Sequence, residues 1–74
     1  MLKELDLRGF YCPIPVMRAR EEMDKIQVGD LLKVIADDPA AEEDLKRWAR
    51  RMGQEIKEVT KEGDMVIVVI RRLV

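Results

Sequence analysis

Cys12 is the residue with the clearest covalent chemistry, and it stands in the run Arg8-Gly9-Phe10-Tyr11-Cys12-Pro13-Ile14-Pro15. A residue before proline is pushed away from helical geometry, so Cys12 is expected to be extended and to cap a helix whose first residue is Pro13. Pro15 removes another N–H from the first turn, which leaves the donors of Ile14 and Val16 near the sulfur. Together with the positive end of the helix dipole they favour a thiolate, and so predict a pKa below the free value of ~8.5. Arg8 and Arg18 are candidates for adding positive potential.

The spacing also excludes a reaction. In a Cys-x-x-Cys redox motif the fourth residue is a second thiol, but here Pro15 takes that place and the chain has no other cysteine. Dithiol exchange within one chain is therefore ruled out. One-thiol transfer is not: a Cys12 thiolate can attack the outer sulfur of a donor persulfide, and an acceptor thiolate can later remove that sulfur. The competing reading is a small buried hydrophobe, as free cysteines often are. The local sequence leaves both open.

The elements that must position Cys12 follow from hydrophobic period. Leu5 and Leu7 alternate with Glu4 and Asp6 in a half-buried strand over residues 2–7. From Pro13 to about Ile26, Val16, Ala19, Met23 and Ile26 share a helical face. Gly29-Asp30 marks a turn, and the apolar run 31–36 predicts a central strand.

Asp38 is read as an N-cap and Pro39 as the first residue of a second helix, with Ala41, Leu45, Trp48, Ala49 and Met52 as its apolar stripe. Acids precede bases along it, matching the dipole, with Glu42–Lys46 and Glu43–Arg47 as pairs and Gly53 as the C-terminal cap. Residues 54–60 alternate poorly, as an edge or bulged strand would. Residues 61–64 form a hairpin turn before a β-branched strand over 65–71. The expected fold is α+β: a two-layer α/β sandwich, β-α-β-α-β-β, with a four-stranded mixed sheet and two helices on one face. Residues 1–74 are expected to form one domain.

Composition narrows the classes. With one cysteine and no histidine, an internal disulfide is impossible and a zinc site nearly so. No metal or cofactor is expected. A net charge of -1 argues against direct nucleic-acid binding, as does the lack of an exposed aromatic-plus-basic motif. The acidic N-terminus lacks a signal-peptide pattern and the longest apolar stretch is too short to span a bilayer, so a cytoplasmic protein is expected. Abundant charge without serine, asparagine or histidine hints at a thermophilic source.

Other features have plainer explanations. Asp37 and Asp38 are read as helix capping rather than a metal or acid/base pair, and Arg47, Arg50 and Arg51 as a solvated helix end. Trp48 is assigned to the core, and Met17 to either the core or a contact surface. In the last strand Met65, Ile67 and Val69 fall on the face without helices, which suggests weak self-association or a partner surface.

The run Leu5-Asp6-Leu7-Arg8-Gly9 followed by Cys12-Pro13-Ile14-Pro15-Val16 resembles the TusA-like (SirA-like) sulfurtransferase family, whose signature is a Cys-Pro-x-Pro turn after the first strand. Gly29-Asp30, the Asp37-Asp38-Pro39-Ala40 run, Trp48, Met52-Gly53 and the closing hairpin also fall where the family has counterparts. The resemblance implies the same sandwich and a persulfide carried on Cys12, loaded by a cysteine desulfurase or another sulfurtransferase. It further implies an acceptor protein in tRNA thiolation, molybdenum cofactor maturation or sulfur metabolism, with no cofactor. Departures at Phe10-Tyr11 and Gln54 lie outside the sulfur chemistry and bear on which partner docks. The alternative is a non-catalytic binding or regulatory module with a structural cysteine.

Overall fold

The computed structural model describes all residues 1–74. Its elements are β1 (Leu2–Asp6), α1 (Ile14–Met23), β2 (Leu31–Ala36), α2 (Ala41–Arg51), β3 (Glu55–Glu62) and β4 (Met65–Arg71). The sheet order is β1-β2-β4-β3, with β1 parallel to β2 and the other pairs antiparallel. This is the expected α+β sandwich with a mixed sheet. The apolar run of β2 lies inside the sheet, and the poorly alternating β3 is an edge strand with an irregularity between Ile56 and Glu58.

Alternation decides which face the helices cover. Leu32, Val34 and Ala36 of β2 and Val66, Val68 and Ile70 of β4 are buried. They join Leu7, Ala19, Met23, Ala41, Leu45 and Ala49 in one apolar cluster. On the open face Met65, Ile67 and Val69 are only half-buried, and Lys33, Glu58 and Thr60 line the same shallow hollow as Ile67 and Val69.

Both helices differ from expectation at their starts. Pro13, not Cys12, occupies the N-cap of α1, and Pro15 is the proline of its first turn. The reason is a tight turn: Ile14 N–H donates to the Tyr11 carbonyl at 2.9 Å, so the first helical bond runs from Met17 N–H to Pro13. Helix α2 begins at Ala41 with Ala40 as N-cap, rather than at Pro39 after an Asp38 cap. Asp38 Oδ1 still accepts Ala40 N–H at 3.1 Å as a capping aspartate does, but Ala41 N–H closes a tight turn on the Asp38 carbonyl at 3.0 Å, so the regular helix follows that turn.

Their ends are equally specific. Helix α1 stops at Met23, three residues short of Ile26, where Lys25 N–H donates to the Glu22 carbonyl. The Arg72 guanidinium then takes the Met23 and Ile26 carbonyls. Gly53, at φ +78°, closes α2: Gln54 N–H reaches the Ala49 carbonyl and Gly53 N–H that of Arg50. This is the double bond pattern of a left-handed helix cap. Met52 is exposed here instead of joining the buried stripe. Glu42–Lys46 forms at 2.7 Å, but Arg47 lies 3.6 Å from Asp44 rather than pairing with Glu43.

Several carboxylates are held ionised by these contacts. Asp6, hydrogen-bonded by Arg8, sits at about 2, and Glu22 is held below its ordinary value by Lys3. Asp30 and Glu42 shift the same way through Gln27 N–H and Lys46 respectively. Groups whose folded pKa is depressed contribute stability that is present above their unfolded values of 3.8 and 4.5 and lost as pH falls through the folded ones. Urea midpoints should hold from neutral pH to about 5, then fall steadily toward about 2. A midpoint unchanged down to about pH 3 would contradict this.

Candidate functional site

Two aspartates at the end of β2 seat the loop that carries Cys12. Asp37 Oδ1 accepts Gly9 N–H at 2.9 Å, and Asp38 Oδ2 accepts Cys12 N–H at 2.5 Å. Asp38 is buried, so the Asp37-Asp38 pair anchors the loop as well as starting the next element. Leu7 N–H donates to the Ile35 carbonyl, extending the β1–β2 ladder to the loop's base. The Cys12–Pro13 peptide bond is cis, and Pro15 is buried beneath the turn.

The Cys12 side chain is exposed and faces an open cleft of about 310 Å³, lined also by Pro13, Val16, Asp44, Arg47, Trp48 and Arg51. Its thiol donates to Asp44 Oδ2 at 2.9 Å. That hydrogen bond pushes the thiol above its ordinary value, with desolvation and the charges of Asp44 and Asp38 acting in the same direction. The expected depression is thereby overturned. Of the two donors it relied on, Ile14 N–H is taken by the Tyr11 carbonyl, and the sulfur's hydrogen bond goes to a carboxylate, which favours the protonated form.

The candidate cations also change. Arg8 is tied to Asp6 by its guanidinium, at 2.7 Å for the closest contact, and Arg18 is exposed on α1. Neither lines the cleft; Arg47 and Arg51 do, whereas Arg50 does not. Trp48 is half-buried, packed on the core with one side and lining the cleft with the other. Asp44, Arg47, Trp48 and Arg51 recur at spacings of three and four, so this wall of the cleft is one helical face. In the chain on either side of Cys12, Phe10, Tyr11, Ile14 and Met17 expose large apolar side chains, which resolves Met17 in favour of the surface.

A family model described as "Sulfurtransferase TusA" matches residues 3–72. The chain belongs to the TusA family. A TusA relative from Allochromatium vinosum, named as a sulfur carrier protein, is 34% identical over 70 residues, covering 95% of this chain and 92% of its own. An Archaeoglobus fulgidus protein with a provisional sulfur-carrier name is 41% identical over 73 residues, covering 99% and 95%. The crystal structure of a SirA-like protein from Desulfitobacterium hafniense superposes with a TM-score of 0.84 at 27% identity, covering 99% of both chains. TusA-family membership places this chain among proteins of sulfur transfer. No helix is long and apolar enough to cross a membrane.

Proposed function

We propose that this TusA-family chain is a cytoplasmic sulfur carrier, working as one unit over residues 1–74, in which Cys12 accepts sulfane sulfur as a persulfide and relays it to an acceptor protein. The observation that carries the reading is an exposed Cys12 thiol in an open cleft, on a loop seated by buried Asp38, within the Cys-Pro-Ile-Pro turn. A cysteine retained for packing would be buried, so its exposure weighs against the structural-cysteine alternative.

Cys12 is the nucleophile. As it gives up its proton, its sulfur attacks the outer sulfur of a donor persulfide, and the donor's S–S bond breaks. The donor's inner sulfur leaves and takes the proton, so Cys12–S–SH forms without net oxidation. In delivery an acceptor thiolate attacks that outer sulfur, and Cys12 leaves as a thiolate that regains its proton. Pro13, Ile14 and Pro15 support the turn. The donor is a cysteine desulfurase or another sulfurtransferase, and the apolar side chains around Cys12 offer either partner a contact surface.

The test is intact mass after incubation with a cysteine desulfurase and cysteine. A reductant-sensitive gain of one sulfur, absent in Cys12→Ser, is the expected result. An unchanged mass with both an active desulfurase and a persulfide-loaded sulfurtransferase as donor would remove the carrier reading.

A further inference from the structure

We propose that Asp44 is a positioning residue that holds Cys12 as a protonated thiol while the carrier is free, and that Arg47 competes with the thiol for the Asp44 carboxylate. This rests on the carrier reading and adds a restraint to it. Asp44 Oδ2 accepts from Cys12 Sγ at 2.9 Å, while Asp44 Oδ1 lies 3.6 Å from Arg47 Nη1. One carboxylate thus stands between a nucleophile and an exposed guanidinium one helical turn away.

The charged groups facing Cys12 are few. Helix α2 supplies Asp44, Arg47 and Arg51, and the loop after β2 supplies Asp38. Helix α1 contributes only uncharged Val16 to the cleft. Asp38 is occupied by the Cys12 and Ala40 amides, which leaves Asp44 as the carboxylate bonded to the sulfur itself. While Asp44 accepts from the thiol, Cys12 is a weak nucleophile and is slow to oxidise. When Arg47, or a cation brought by a docked partner, draws the carboxylate aside, the proton is released and the thiolate is free to attack.

The test is the pH dependence of Cys12 alkylation by iodoacetamide in the folded protein. In Asp44→Asn the midpoint should fall by about one unit, which is roughly tenfold more thiolate at neutral pH. A less basic thiolate is also less nucleophilic, so the rate near pH 7 should rise only about threefold. In Arg47→Met, an exposed change that leaves the fold alone, the midpoint should rise. A midpoint unmoved, or moved in the opposite direction, in either variant overturns the proposal. Sulfur loading of the wild-type chain from a desulfurase and from a persulfide-loaded sulfurtransferase is scored separately by mass, so failure to load from both counts against the carrier reading while the midpoints judge Asp44.

Discussion

Leu45→Ala is expected to remove about 2–5 kcal/mol of stability, measured by urea unfolding. Leu45 is fully buried and among the largest of the fully buried side chains. Its cluster includes Ala19, Ala36, Ala41 and Ala49, which are too short to close over the space a leucine leaves. A chain of this length has about 4–11 kcal/mol in total, so the loss is a large share and leaves a measurable unfolded population. Leu45 also follows Asp44 directly, so a loosened α2 should blur the thiol contact before the sheet melts. A loss below about 1 kcal/mol would show that α2 settles into the gap and that Leu45 is not what pins it.

Asp38→Ala is the second large effect, expected at roughly 1–3 kcal/mol, because two amides lose their acceptor together. Those amides belong to Cys12 and Ala40, and the aspartate that serves them is buried. Its removal unties the Cys12 loop from the β2–α2 junction while leaving the β2–β4 ladder intact. Hydrogen exchange should therefore accelerate at Cys12 far more than at Val34 or Val68. Asp38→Asn keeps one acceptor oxygen and should fall between the two. Uniform acceleration across the sheet would instead mean that Asp38 supports the whole domain and has no particular hold on the loop.

How much of this was legible before the structure depends on the range of the forces involved. The nearly continuous apolar run of β2, the buried stripe through Ala41, Leu45 and Ala49, and the β-branched alternation of β4 are set by period and burial, and all appear as read. Both helices start later than period alone predicts because a tight turn precedes each: Ile14 N–H donates to the Tyr11 carbonyl and Ala41 N–H to the Asp38 carbonyl. Cys12 was recognisable by type and neighbours, but its partner was not. Asp44 lies thirty-two residues away, and the dipole reasoning considered only α1. A signal did exist: Asp44, Arg47, Trp48 and Arg51 share one face of α2. Their charge order matches the helix dipole, which favours a solvated helix end for the arginines over a docking role and conceals their place beside Cys12.

The Gly29–Asp30 turn gathers both chain ends. The amino group of Met1 meets Asp30 at 3.2 Å, and Arg72 exchanges backbone bonds with Gly29 and Asp30. Cys12 lies beyond the other end of β1, past a strand of about 17 Å. A tether attached at either terminus thus leaves from the pole remote from the sulfur, and the carrier can be anchored to a surface, or fused to a second protein, with its thiol still facing outward.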